Sequence, residues 1–512
     1  MRKRASGHRG PAQGYAGLSR LNRLGVAALL GAFASLGQAP FDQPIFMVVG
    51  FSLAFIVLRG ETRGRDAALM GGALGVGYFG VALFWIMEPF QIDPDRHAWM
   101  APFALILMSA GMALFWGGAF WLARLLSRDT WPLILTWTAA EVLRAYLFTG
   151  FPWASPAQAL VSGTAGQGLA LVGPHGMTLW LMSLCWALSS VAGRWRHGLV
   201  LTGKVVLFCT AAILLYLPPL APAATLTAHW VRLVQPNAAQ HLKWQPDFAL
   251  TFFERQLDFT AAPIKAGTPA PVLTIWPETA IPWTLDQAEP ALAQIAAVAQ
   301  GQPVVLGLLR RADEGLFNAL AVLDAVGNPA QIYDKHHLVP FGEYIPFGRL
   351  LGRFGITGLA QTSAIGFASG QGPRLLDFGP LGKGLPLICY EAVFAHGVAG
   401  TDTRPDFLLQ ITNDAWFGQN AGPQQHLAQA RMRAIEQGLP FMRAANTGIS
   451  AMIDPQGRIL ASLPMDRAGF LDAPLPVAAP PTPYSRFGDI PVFILLFLGI
   501  VAAAVTRHRQ KN

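Results

Sequence analysis

The sequence predicts a membrane-embedded α-helical bundle of about eight spans joined to one large α/β domain. Three observations carry that expectation. Of the 512 residues, 53% are hydrophobic and only 13% are charged, about half the charged fraction usual in globular domains. Apolar runs suited to a bilayer core recur from residue 24 to 217, and one more lies near the C-terminus. Between them, short apolar segments alternate with helical patterns and turn residues. The formal net charge of +8 does not point to nucleic acid, because arginines recur in the short segments between apolar runs, a placement that fits membrane topology.

Residues 1–23 form a basic arm with Arg2, Lys3, Arg4, Arg9, Arg20 and Arg23. The first apolar run, 24–36, contains Ala32-Phe33-Ala34, which would also fit a signal peptide. Further runs follow at once, at 44–58, 67–87, 99–126, 132–148, 166–192, 199–217 and 490–506. Basic residues fall in alternate connections: Arg59, Arg63 and Arg65; Arg124 and Arg128; Arg194 and Arg196; then Arg507, Arg509 and Lys511. The intervening connections 39–43 and 149–165 have none, and 88–97 has one Arg among acids. This is the positive-inside pattern, with both termini cytoplasmic and 218–484 on the outer side. Removing the first run would remove the arm that starts the alternation.

Trp85, Trp99, Trp121, Trp131 and Trp153 lie near run ends and read as interfacial anchors. Glu141 and Arg144, spaced i,i+3, can pair on one helix face as a structural ion pair. Pro174-His175-Gly176 marks a kink, and His175 alone supports no metal or relay role. Cys185 and Cys209 fall inside apolar runs and read as packing residues.

The linker Pro218-Pro219-Leu220-Ala221-Pro222 opens the second kind of sequence, which runs to a proline-rich exit at 474–483. Its length of roughly 260 residues suits one domain. Strand-like segments lie at 230–234, 272–276, 304–308, 320–323, 385–388, 407–411, 449–453 and 459–463. Helical patterns lie at 247–262, 288–299 and 426–437. Such mixing indicates an α/β or α+β sandwich with covered sheets.

Cys389 is the one cysteine of three in this polar half, at the end of Leu385-Pro386-Leu387-Ile388. A lone thiol there is either an inert core residue or a nucleophile. Other strand-like segments also end in reactive groups: Trp276-Pro277-Glu278, Tyr333-Asp334-Lys335-His336-His337, and Gln410-Ile411-Thr412-Asn413-Asp414. In α/β folds, side chains from separate strand ends converge on a ligand. A carboxylate can take the thiol proton, an ammonium can stabilise an oxyanion, and the thiolate can attack a carbonyl. His336, His337 and His426 lack zinc-type spacing. The glycine-rich apolar run at 347–360 is read as a lid that dips into a membrane.

Together these motifs resemble the carbon–nitrogen hydrolase (nitrilase) superfamily, and within it the apolipoprotein N-acyltransferases. The resemblance rests on Trp276-Pro277-Glu278-Thr279-Ala280, on Tyr333-Asp334-Lys335-His336-His337 continuing to Glu343-Tyr344, on Ile388-Cys389-Tyr390-Glu391, and on Thr412–Gly418. The segment 426–436, Asn446-Thr447-Gly448-Ile449-Ser450, Gly77-Tyr78-Phe79-Gly80 and Thr149-Gly150-Phe151-Pro152-Trp153 agree with it. It implies an α-β-β-α sandwich with a Glu278, Lys335 and Cys389 triad, supported by Trp244, Glu343, Tyr390 and Glu391. It implies acyl transfer from a membrane phospholipid, phosphatidylethanolamine, to the α-amine of an S-diacylglyceryl-cysteine, through a Cys389 thioester. It implies residence in the bacterial inner membrane, with 24–217 and 485–512 spanning and 218–484 periplasmic, and it implies no cofactor or metal. A membrane-anchored amidase, or a transporter with an outer domain, is the competing reading.

Overall fold

The computed structural model describes residues 15, 17–190, 198–346, 366–398 and 400–511. The chain divides into two compact units. One comprises Met1–Phe84, Pro102–Leu220 and Phe487–Asn512, and the other Trp85–Ala101 with Ala221–Arg486.

The first unit is helical: α1 (Arg20–Ser35), α2 (Pro44–Leu58), α3 (Gly64–Ala82), α4 (Ala101–Leu126), α5 (Pro132–Tyr146), α6 (Leu169–Ser189), α7 (Gly198–Tyr216) and the C-terminal helix Ile490–Lys511. Each apolar run falls on a helix. Among the described residues, three stretches are long and apolar enough to cross a membrane: Pro94–Leu126, Thr164–Ser189 and Ile490–Arg509. Gly64–Ala82 with the bent continuation Phe84–Gln91 makes a fourth if counted as one span. Pro44–Leu58 and Val205–Tyr216 are apolar but shorter.

Local chemistry explains several helix ends and contacts. Ser19 caps α1 by accepting from the Asn22 N–H, and prolines at the first turn start α2 and α5. A Cβ on Gly31 would run into the Leu74 carbonyl, and one on Gly77 into that of Ala28. Glycine at both places lets α1 and α3 approach backbone to backbone, which is how helices pack without a hydrophobic drive from water. The break in α6 falls at Gly173, whose φ is 65°, just before Pro174, which lacks the N–H needed to continue the ladder. Glu141 and Arg144 pair at 2.6 Å and are both buried. Glu141 also accepts from the Trp116 indole at 2.7 Å, and Arg144 donates to the Phe151 and Trp153 carbonyls.

Three expectations need correction. Trp153 is fully buried, because the segment carrying it is drawn in by Arg144, so it anchors no interface. Trp85 is also buried, packed against Phe417 and donating to Gln425 at 3.2 Å within the second unit. Cys209 is exposed on α7 rather than packed.

The second unit holds β1 (Leu226–Gln235), α8 (Pro246–Ala261), β2 (Pro271–Ile275), α9 (Glu289–Ala299), β3 (Val304–Ala312), β4 (Gly315–Leu323), β5 (Pro329–Asp334), β6 (Leu376–Asp377), β7 (Lys383–Ile388), β8 (Phe407–Thr412), α10 (Gly422–Gln437), β9 (Phe441–Ala445), β10 (Ser450–Ile453), β11 (Ile459–Leu463) and β12 (Gly469–Pro476). They form two mixed six-stranded sheets, ordered β12-β1-β2-β3-β4-β5 and β11-β10-β9-β8-β7-β6. Each has a parallel centre, β1-β2-β3 or β7-β8-β9, flanked by antiparallel strands. β1 packs against β9 and β10, and β4 against β7. Apolar side chains of α8 and α9 cover the first sheet, and those of α10 the second. Parallel strands need such cover, since both faces carry Val, Ile and Leu. α10 stops at Gly438, whose φ of 64° closes the helix in the left-handed form that glycine adopts freely.

Candidate active site

The parallel centres decide where the reactive groups go. Strands pointing the same way put their carboxyl ends at one edge. Glu278 follows β2, Cys389 follows β7, Asn413 follows β8 and Asn446 follows β9. Lys335 follows β5.

Lys335 is buried, with Nζ 2.8 Å from Glu343 Oε1 and 3.6 Å from Glu278 Oε1. Its N–H and carbonyl are held by Asn318 O and the Gly370 N–H. Burial alone would lower its pKa, but Glu343, Glu278 and Cys389 together raise it above the usual lysine value. Glu278 has both oxygens occupied: Oε1 accepts from Asn318 Nδ2 and Oε2 from the Asn413 N–H, each at 2.7 Å. Asn318 also reaches Glu343 at 3.1 Å, and the Val339 N–H reaches the other Glu343 oxygen at 2.8 Å.

Cys389 is buried. Its thiol is pushed well above the ordinary range, by burial first and then by Glu278 and Asp414, against the pull of Lys335. Its φ is 52°, a left-handed conformation uncommon outside glycine. The Cys389 carbonyl is held by Gln410 Nε2 at 2.9 Å and lies 3.1 Å from His426 Nε2. Behind it, Asp414 contacts His426 at 2.9 Å and takes an ion pair from Arg443. Burial would raise the Asp414 carboxyl, but Arg443 and His426 bring it to about 2. Thr279, just after Glu278, has a φ of 45°. That is costly for a β-branched residue, and strained backbone of this kind gathers at functional sites.

The supporting residues occupy distinct places. Glu391 is buried and accepts from the Ile388 N–H at 2.7 Å, the His336 N–H at 2.8 Å and the Tyr333 hydroxyl at 3.0 Å. It therefore ties the strand end before Cys389 to the segment after Lys335. Burial alone would raise its carboxyl; His336 and those backbone donors bring it below the ordinary value. The Tyr390 ring packs edge-on against His337 and Phe394. Trp244 is 44% exposed, and its ring centre is 5.0 Å from Lys243 Nζ. The run 347–360 lies outside the described residues. No group of three or more His, Cys, Asp or Glu among the described residues could hold a metal ion.

Comparison with known proteins then places the chain. Residues 30–187 match the model of the apolipoprotein N-acyltransferase N-terminal domain, and residues 231–479 match that of carbon-nitrogen hydrolases. An apolipoprotein N-acyltransferase of Rhodopseudomonas palustris is 35% identical, over 92% of this chain and 93% of its own. One from Bradyrhizobium diazoefficiens is 36% identical, over 95% of each. The chain belongs to the apolipoprotein N-acyltransferase family. A solved CN-hydrolase superfamily protein from Xanthomonas campestris shares 18% identity, at a TM-score of 0.33, over 48% of this chain and 90% of its own.

An apolipoprotein N-acyltransferase is a carbon–nitrogen hydrolase superfamily enzyme that uses an acyl donor and a lipoprotein acceptor. Reasoning from the sequence missed several groups that surround these residues. Asn318 bridges the two carboxylates; its signal was one amide in the otherwise apolar strand Leu316–Leu323. Lys243 is buried and donates to the Glu278 carbonyl at 3.2 Å and to Thr279 Oγ1 at 2.9 Å, and no local pattern announces it. The pairing of Asp414 with Arg443 joins the end of β8 to the middle of β9 and becomes visible only in three dimensions.

Proposed function

We propose that Cys389 carries the acyl group as a thioester in a two-stage transfer, with Glu278 as the general base and Lys335 as the oxyanion partner. The observation that carries this reading is the convergence of a carboxylate, an ammonium and a thiol from three strand ends in one buried place.

A thiol with a raised pKa is protonated at neutral pH, so attack has to be coupled to proton removal. Glu278 takes that proton as sulfur bonds to the ester carbonyl carbon of a phospholipid. Once Glu278 is neutral, Lys335 keeps only Glu343 as counter-charge, and its excess positive charge meets the new oxyanion. A backbone N–H beside Cys389 completes the oxyanion site. Collapse breaks the carbon–oxygen bond; the proton passes from Glu278 to the departing lysophospholipid oxygen, leaving the thioester. Glu278 next takes a proton from the acceptor amine, whose nitrogen attacks the thioester carbonyl. An amide forms and the thiol is restored. Glu343 orients Lys335, Glu391 and Tyr390 position the end of β7, and Trp244 packs its ring beside Lys243.

The donor in this reading is the sn-1 chain of phosphatidylethanolamine, and the acceptor is the α-amine of an S-diacylglyceryl-cysteine. Both are lipids, which gives the apolar helices their purpose. Eight helices at 24–217 and 485–512 span the inner membrane, and 218–484 forms a periplasmic α-β-β-α sandwich. Alternating basic connections and two facing, helix-covered sheets support that arrangement.

The test uses purified full-length enzyme with phosphatidylethanolamine and no acceptor. One equivalent of lysophospholipid per enzyme is expected from the wild type, and none from Cys389→Ala or Glu278→Gln. Lysophospholipid release by Cys389→Ala at the wild-type level contradicts the reading.

A further inference from the structure

Lys243 is a buried lysine to which the triad chemistry gives no task. It sits in the turn after β1, with its N–H bonded to the Ala239 carbonyl. That turn is anchored to the ends of β8 and β9: Gln240 accepts from Asn413 Nδ2 at 2.7 Å, and Ala238 exchanges two hydrogen bonds with the Asn446 side chain, each at 2.8 Å. Asn446 Nδ2 in turn donates to Asn413 Oδ1 at 2.8 Å, and the Asn413 N–H holds Glu278. Lys243 is thus mounted on the same frame as the carboxylate oxygen of the base. Its amine reaches the backbone of Glu278, where it donates to the Glu278 carbonyl and the Thr279 hydroxyl. These two residues form the turn whose Thr279 φ is 45°. From the other side, Gly307 approaches so closely that a Cβ there would lie 2.6 Å from Glu278 Cα.

We propose that Lys243 is the positioning residue of Glu278: it clamps the strained Glu278-Thr279 backbone so that the carboxylate is held between Asn413, Lys335 and the thiol. This rests on the reading of Glu278 as general base. Any side chain that cannot donate to both acceptors leaves two buried oxygens unpaired and frees the turn to relax toward a less strained conformation.

The clamp has a second consequence. A cavity beside Lys243 is lined by Trp244, Phe252, Gln256, Pro277, Pro282 and Asn446, none of them ionisable. Burial lowers the Lys243 amine to about 7, with Glu278 pulling the other way. A charged Lys243 is attracted by Glu278 and holds part of its charge; a neutral one leaves the carboxylate free to engage the thiol proton. Acylation of Cys389 is therefore expected to accelerate as pH rises through about 7.

The experiment measures single-turnover acylation of Cys389 by phosphatidylethanolamine vesicles in the full-length enzyme from pH 5.5 to 9, with Glu278→Gln as control and a thermal melt of each variant. Lys243→Met is expected to slow acylation by about tenfold or more at every pH. Lys243→Arg keeps the donors and fixes the charge, so acylation is expected to persist while the rise near pH 7 disappears. Equal rates and an unchanged pH profile in both variants, with Glu278→Gln inactive, overturn the role of Lys243 alone. Acylation at the wild-type rate in Glu278→Gln overturns the base itself. If Lys243→Met fails to fold, the Lys243→Arg profile decides: retention of the wild-type rise overturns the proposal.

Discussion

A thiol sealed from water beside a carboxylate keeps its proton, and this sets the reactivity expected of Cys389. Alkylation by iodoacetamide at pH 7.5 should be slow at Cys389 in the folded enzyme and fast once the enzyme is denatured. Glu278→Gln removes a negative charge that pushes the thiol up and leaves the pull of Lys335 opposed only by Glu343 and Asp414. The thiol pKa then falls, and peptide mapping should show faster alkylation of Cys389 in that variant, although acyl transfer is lost. Asn318 offers a second test at the same scale. Its amide is shared by Glu278 and Glu343, so Asn318→Ala strips a donor from two buried carboxylates. A loss of about 1–3 kcal/mol corresponds to a fall in acylation rate of roughly 5- to 150-fold. Single-turnover kinetics would measure it, and a rate within about twofold of wild type would contradict the bridging role.

At the scale of elements, the site depends on strand ends held together by buried polar links. Asp414 joins the end of β8 to Arg443 on β9 and His426 on α10. Its carboxyl falls from 3.8 to about 2 on folding. A depressed carboxyl contributes stability that is present above its unfolded value and is lost as pH falls through its folded value. The contribution is about 2 kcal/mol at neutral pH, and it should fade between about pH 4 and pH 2. Melting of wild type and Asp414→Asn should therefore differ most near neutrality and converge in acid. The contact of β3 with the base is steric. Gly307→Ala places a methyl 2.6 Å from Glu278 Cα, closer than backbone tolerates, so the turn carrying Glu278 must move away. Overpacking of this kind costs about 1–3 kcal/mol, and the account expects a greater loss in rate than in melting temperature.

Much of this architecture could be read from residues alone, for physical reasons that also mark the limits. Apolar runs became helices and β-branched runs became strands, because periodicity and burial are local signals. β12 was obscured by Pro474 and Pro476; prolines are tolerated there because it lies at a sheet edge. β9 was obscured by Arg443, a buried charge in its centre whose partners lie elsewhere in sequence. Trp85 and Trp153 stand at run ends, where an aromatic fits an interface or a packed corner equally well, and long-range partners settle which. The strand-end positions of Glu278, Lys335 and Cys389 were legible because each follows a recognisable strand. Lys243 and Asn318 were not, because their meaning lies in what they reach.

For the molecule as a whole, the chain's membership of the apolipoprotein N-acyltransferases supplies an acyl donor and a lipoprotein acceptor, and the proposed reading has one active site serve both in turn. A shared site that binds them successively must store the acyl group between visits, and a thioester does so. The most direct test is intact-protein mass spectrometry of the full-length enzyme incubated with phosphatidylethanolamine and no acceptor. The account predicts a single hydroxylamine-labile acyl adduct that maps to Cys389 and disappears, with stoichiometric amide formation, when a diacylglyceryl-cysteine peptide is added. Amide product formed at the wild-type rate by Cys389→Ala, or an adduct that the peptide does not consume, would contradict it.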